Sequence, residues 1–348
     1  MYKFIIRPIL FVLQPEAIHH LIINILKFGF KIPGVPFLVK KLYCIKSNNL
    51  KREFLGMTFE NPVGFAAGFD KNAEVYNEFA NFGFSFIEIG TVTPIAQPGN
   101  AKPRSFRLPK DSALINRMGF NNKGVLHAVT QLKKHNPKLI IGGNIGKNTA
   151  TPNTQAINDY IYCFKELYNY VNYFVVNVSC PNISDLRELQ DQKTLTAILD
   201  SLVKIRTEMP VKKPIMLKIS PDLNNNQLDE VISIVKNTGI DGIVAVNTTI
   251  SRENLTTSKK KVDNIANGGL SGKPLSKRST EIIRYINKNS NGTIPIMGVG
   301  GIMSVEDAIE KIEAGASLIQ LYTGFIYEGP GFVKKINKAL IKTVVKNN

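Results

Sequence analysis

Residues 214–248 read PIMLKISPDLNNNQLDEVISIVKNTGIDGIVAVNT. An apolar run at 214–220 gives way to a helical pattern at 225–236 and then to a second apolar, β-branched run at 242–248. Strand, crossover helix, strand is the sequence form of a parallel βαβ unit. The alternation continues on both sides. Strand-like runs are predicted at 63–69, 84–93, 139–146, 173–179, 214–220, 242–248, 294–300 and 318–324, with helical patterns at 124–135, 153–170, 193–208, 225–236, 276–287, 305–314 and 332–343. Eight strand–helix units in about 270 residues is the arithmetic of an α/β fold closed as a TIM (β/α)8 barrel, whereas a doubly wound sheet stops sooner and needs a second domain. The barrel is assigned to 46–348 and a small N-terminal helical extension to 1–45.

Of the 348 residues, 43% are apolar and 20% charged, which excludes a disordered tail, a collagen-like repeat and a disulfide scaffold. Cys44, Cys163 and Cys180 are odd in number and far apart, so a reducing compartment is expected and neither a disulfide framework nor a structural zinc site. His19, His20, His127 and His135 form no H-E-x-x-H pattern, and no metal is predicted. The net charge of +17 is carried by scattered runs such as Lys133-Lys134, Lys212-Lys213 and Lys259-Lys260-Lys261. These read as solvated helix ends and loops, without a nucleic-acid-binding signature, and no nucleic-acid partner is predicted.

The N-terminus has a different character. Residues 1–13 (MYKFIIRPILFVL) are apolar but broken by Arg7 and Pro8. From Pro15 onward, Ile18, Leu21, Ile22, Ile25 and Leu26 repeat as one helical face, which Gly29 and Pro33 terminate. No stretch approaches the roughly 20 uninterrupted apolar residues of a spanning helix, so the chain is not expected to cross a bilayer. With Lys3, Arg7, Lys27, Lys31, Lys40 and Lys41, the segment suits a cap lying on an anionic membrane surface. A helix packed on its own domain would show the same periodicity.

Barrel active sites form at the C-terminal ends of the strands, and here those ends are polar. Gly300-Gly301 and Tyr322-Thr323-Gly324 follow strands seven and eight, where barrels cradle phosphate, and the Ser271-Gly272 stretch adds to them. Glycine also ends strands for steric reasons alone. Lys218 sits inside an apolar strand run, where a bound anion would relieve its cost and a snorkelling lysine is the alternative. A fixed cation there suits a flavin, whose reduction places negative charge at N1/O2. Asn116, Asn177, Asn182 and Asn247, beside Thr248, both donate and accept, as a flat cyclic substrate of alternating C=O and N–H groups requires; singly, each would serve as a turn former. Lys71 adds a charge for a substrate carboxylate. Cys180 is the candidate base, against the reading of a small buried hydrophobe.

These blocks together resemble the dihydroorotate dehydrogenase family over nearly the whole chain. The resemblance is carried by Ala66-Ala67-Gly68-Phe69-Asp70-Lys71, Gly90-Thr91-Val92-Thr93-Pro94, Pro103 to Leu108, Asn116-Arg117-Met118-Gly119-Phe120-Asn121-Asn122, Asn177 to Asn182, Asn247-Thr248-Thr249, Gly268 to Leu275 and Gly298-Val299-Gly300-Gly301. The N-terminal extension, the Asn116 block and Leu186-Arg187-Glu188-Leu189-Gln190 are similar to the membrane-associated, quinone-reducing class (class 2). The resemblance implies oxidation of (S)-dihydroorotate to orotate in pyrimidine biosynthesis, with a proton removed from C5 and a hydride passing from C6 to N5 of FMN, which a membrane quinone reoxidises. It places FMN against Ala67, Gly68, Lys71, Thr91, Asn144, Asn177, Lys218, Val246, Gly272, Gly301, Tyr322 and Thr323. Dihydroorotate falls against Lys71, Asn116, Arg117, Met118, Gly119, Phe120, Asn177, Asn182, Asn247 and Thr248, with Cys180 as the base. Cys180 stands where the quinone-reducing class typically has Ser and the soluble classes have Cys, and Val246 stands where Thr is common. The resemblance further implies a peripheral position on the cytoplasmic face of the cell membrane and no obligate partner subunit. The alternative within the family is a soluble enzyme using fumarate or NAD as acceptor.

Overall fold

The computed structural model describes residues 2–134, 139–178 and 192–347, with side chains followed to residue 343. Eight parallel strands close a barrel in sequential order. They are β1 (Val63–Phe65), β2 (Phe86–Val92), β3 (Ile140–Ile145), β4 (Tyr173–Asn177), β5 (Ile215–Ile219), β6 (Gly242–Ala245), β7 (Ile296–Val299) and β8 (Leu318–Leu321), with β8 pairing β1 and β5 pairing β6. Each strand lies inside its predicted run but stops short of it. Just beyond the ladders Ala66 N–H still donates to the Leu321 carbonyl and Asn247 N–H to that of Ile219, after which the chain turns into the loops at the top of the barrel.

The helices follow the prediction with end shifts of a few residues, as for Asn225–Thr238, where Asn224 and Gln227 form a reciprocal cap and Gly239 stops the helix in the left-handed region. Alternation along the strands decides the interior. Phe86, Tyr173, Met216, Val244, Met297 and Leu318 fill the lower barrel, and the hairpin Arg52–Phe54 with Met57–Phe59 plugs its base through Phe54 and Phe59. Gly64 makes this possible, since a Cβ there would lie 2.2 Å from the Phe86 ring. Two residues further up the same strands, the inward positions are Glu88, Lys218 and Gln320, all buried. An apolar lower layer therefore supports a charged upper one.

Three helices precede the barrel: α1 (Arg7–Val12), α2 (Pro15–Gly29) and α3 (Val35–Tyr43). No single helix among the described residues is long and apolar enough to cross a bilayer, and the segments 2–12 and 15–29 bend by 118° at their junction. The predicted apolar stripe of α2 divides between two roles. Ile18 and Leu26 are buried against the protein, Ile22 is half-buried and Leu21 and Ile25 are exposed, while Ile23, outside the predicted stripe, is buried as well. Phe4, Ile9, Val12, Phe28, Phe37 and Leu38 are exposed as well, beside Lys31, Lys40 and Lys41. The cap is fixed to the barrel by polar contacts. Arg104 donates to both oxygens of Glu16 at 2.7 and 3.2 Å, and Tyr2 donates to the carbonyl of Ile326 at 2.6 Å.

Candidate active site

A cavity of about 460 Å³ opens above the charged layer and runs upward between the strand-end loops to α1 and α2. That size is in the range of cofactor and ligand pockets. Of the predicted positions, Ala67, Gly68, Lys71, Thr91, Asn116, Met118, Gly119, Phe120, Asn177, Lys218, Val246, Asn247, Thr248, Gly272, Gly301, Tyr322 and Thr323 line it. Asn144 lies in the layer beneath. Arg117 turns away: its guanidinium donates to the carbonyls of Asn267 and Pro103 at 3.1 Å and stacks on Phe106, so it braces the loop behind the wall. The predicted Cys180 and Asn182, and the Leu186–Gln190 block, lie outside the described residues.

The floor is one hydrogen-bonded network. Thr91 donates to Asn144 Oδ1 at 2.6 Å, Asn177 Nδ2 donates to Thr91 Oγ1 at 2.9 Å, and Asn247 Nδ2 reaches Asn177 Oδ1 at 3.3 Å. Asn144 Nδ2 in turn donates to Glu88 Oε1 at 2.8 Å, and Gln320 Nε2 donates to Glu88 Oε2 at 2.6 Å. Lys218 Nζ stands 3.7 Å from Glu88 Oε1. The counter-charge of Lys218 thus comes from within the barrel, where the sequence reading looks to a bound anion. Glu88 and Gln320 were missed. The signal was present, since a Glu inside FIEIGTV carries a charge-burial cost like that of the lysine in IMLKI, and a Gln inside LIQL the smaller cost of a neutral amide.

Glycine shapes the opposite wall. Gly272 has φ +100° and Gly301 φ +71°, and a Cβ would lie 2.3 Å from the Ser112 carbonyl oxygen at the first and 2.1 Å from Ser276 Cα at the second. Only bare backbone fits, and beside it the Ser271 and Thr323 hydroxyls pair at 2.8 Å. A donor-rich glycine wall at one end and a floor of cation and amides at the other fit a flavin nucleotide.

Lys71 sits at the edge of the floor. Burial, reinforced by the charge of Arg104, brings its ammonium down to about 8, with Glu16 and Asp70 opposing. Asp70 is pushed up to about 6 by burial, although it accepts N–H bonds from Glu74 and Val75. Above it, His19 on α2 packs against Phe69 with ring centroids 4.5 Å apart, and burial, then Lys71 and His20, holds its imidazole well below the usual value. The upper cavity is apolar, lined by Ile6, Leu10, Phe11, Ile22 and Ile25. Arg107, also in its wall, stacks on Phe11 at 4.6 Å and donates to the carbonyl of Leu13 at 2.5 Å.

The dihydroorotate dehydrogenase family model matches residues 49–344. A protein of Christiangramia forsetii named dihydroorotate dehydrogenase (quinone) is 56% identical over 342 residues, covering 98% of this chain and 99% of the relative. One of the same name from Trichodesmium erythraeum is 46% identical over 360 residues, covering 98% and 94%. Among solved structures, the Eimeria tenella enzyme in complex with ferulenol superposes with a TM-score of 0.87 at 34% identity, covering 96% of this chain and 92% of that one. Barrel, site and relatives agree, and the chain belongs to the dihydroorotate dehydrogenase family.

Proposed function

We propose that this protein oxidises (S)-dihydroorotate to orotate with FMN as its flavin and a membrane quinone as the final acceptor. The observation that carries the reading is the continuity of the cavity. Its polar floor suits substrate and flavin, and its apolar upper part is built by the N-terminal helices, where a quinone can enter from a membrane. The quinone named in the relatives points the same way. A fumarate- or NAD-dependent enzyme has no use for an apolar mouth lined by α1 and α2.

A flavin, when bound, supplies the two-electron acceptor for the hydride leaving C6 of the substrate. The protein holds and polarises. Lys71 meets the substrate carboxylate, and Asn116, Asn177, Asn182, Asn247 and Thr248 match the ring C=O and N–H groups. Cys180 takes the proton from C5 as its thiolate. Gly272, Gly301 and Thr323 would take the phosphate end of FMN, Ala67, Gly68, Thr91, Val246 and Tyr322 would hold its ring with Asn144 supporting Thr91 from beneath, and Lys218 would stabilise the negative charge that reduction brings. Residues 1–45 form the membrane and quinone-access cap and 46–348 the catalytic barrel. The exposed apolar residues of the cap, interspersed with lysines, seat it peripherally on the cytoplasmic face of the membrane. Acid release of the flavin, with mass identification, tests the cofactor: FMN supports the reading, and FAD or no flavin contradicts it.

A further inference from the structure

We propose that Glu88 sets the charge beneath the flavin ring, its own negative charge offsetting the field of Lys218 and so holding the flavin's reduction potential down. This rests on the flavin reading above. Glu88 is 1% exposed and lies on the inner face of β2. Its Oε1 accepts from Asn144 at 2.8 Å and stands 3.7 Å from Lys218 Nζ, and its Oε2 accepts from Gln320 at 2.6 Å. Lys218 and Gln320 both line the cavity, while Asn144 reaches Thr91 and Asn177. One carboxylate therefore organises the cation and the amides of the floor.

Packing does not call for an ion pair here, because two apolar side chains in place of Glu88 and Lys218 would fill the barrel at less cost in desolvation. Its charge has a use, however. Reduction of a bound flavin adds negative charge that a fixed cation stabilises. A carboxylate behind that cation offsets part of its field, which disfavours the reduced flavin and favours onward passage of its electrons. Glu88 thus balances the half-reaction with dihydroorotate against the half-reaction with quinone.

The substitution Glu88→Gln isolates the charge. Its amide oxygen retains the bond from Asn144, and once the Gln320 amide turns over, its amide nitrogen donates to Gln320 Oε1, a buried atom without a hydrogen-bond partner among the described residues. The test is the midpoint potential of the bound flavin, read by equilibration with redox dyes. Glu88→Gln is expected to shift the oxidised–reduced equilibrium about tenfold toward the reduced form, ~30 mV for a two-electron couple, while Glu88→Asp, which keeps the charge, stays within about threefold of the unmodified protein. Glu88→Gln leaves Lys218 without its carboxylate, so the neutral pair Glu88→Gln/Lys218→Gln is compared with Lys218→Gln alone. The same shift of about tenfold toward reduced flavin is expected. Unchanged potentials in both comparisons, a shift toward oxidised flavin, or folded Glu88 variants that no longer hold flavin overturn the proposal. An unmodified protein that binds no flavin overturns instead the reading beneath it.

Discussion

Lys27 Nζ on α2 lies 2.7 Å from Glu74 Oε2, so the N-terminal cap is ion-paired to the turn that carries Lys71. Glu74 also meets Lys123 at 2.6 Å and His127 Nε2 at 3.1 Å. Burial works against its charge, but the bonds from Lys123 and Lys27 outweigh that and bring the carboxyl to about 2. The folded value is below the unfolded one, so the stabilisation is complete above about pH 5 and is lost as pH falls toward 2. Glu74→Gln is expected to cost roughly 1–3 kcal/mol at neutral pH and little near pH 2. Thermal unfolding across that range checks it, and equal destabilisation at both ends contradicts it.

Lys71, with its ammonium brought down to about 8, loses its charge within an accessible pH range. The KM for dihydroorotate should rise as pH passes through about 8, while kcat, measured with the substrate carboxylate already paired to the ammonium, changes less. Lys71→Met should raise KM by about 10- to 100-fold, the worth of a charged hydrogen bond. A KM that is flat from pH 7 to 9.5 would remove Lys71 from carboxylate binding.

For Cys180 the expectation concerns the reductive half-reaction. Cys180→Ala should retain flavin yet slow its anaerobic reduction by about 10²–10⁴-fold, the usual contribution of a general base. The unmodified rate should climb with pH through the thiol pKa. Near-normal bleaching by the alanine variant assigns the proton transfer to another group.

If the cap admits the quinone as proposed, its removal separates the two half-reactions. Removal of residues 1–45 should leave reduction by dihydroorotate nearly intact and impair reoxidation by quinone, because Ile6, Leu10, Phe11, Ile22 and Ile25 build the upper cavity. Phe28 is 65% exposed, and Phe28→Asp should weaken binding to anionic liposomes by about tenfold or more, given ~1.5–3 kcal/mol for burying such a ring. Quinone turnover unaffected by the truncation would dissociate the cap from acceptor access.

The barrel was legible because each strand is a compact β-branched run bounded by glycine or polar residues, so the eight-fold count survives errors at the ends. The hairpin over 52–59 and the three-stranded antiparallel sheet of Ser105–Leu108, Ala113–Asn116 and Gly269–Gly272 were not. The equally short barrel strands sit inside longer apolar runs, whereas these stand among charged and polar neighbours, and the pairing of 269–272 with 113–116 joins distant parts of the chain. In the site, Lys218 stood out as a cation among apolar residues; Glu88, 130 residues earlier, stands out in the same way, but their pairing is visible only once β2 and β5 face one barrel interior. Arg117 shares a block with site residues in the sequence, but the length of its side chain lets it reach the carbonyls of another loop.

The most direct test of the account is a double-mixing experiment. The protein is first bleached anaerobically with one equivalent of dihydroorotate, and the reduced flavin is then mixed with a soluble quinone, fumarate or NAD while its visible absorbance is followed. Rapid bleaching is expected, then rapid recovery of colour with quinone and slow or no recovery with the other two. Recovery that is fast with fumarate or NAD and slow with quinone, or a flavin that dihydroorotate does not bleach, would contradict it.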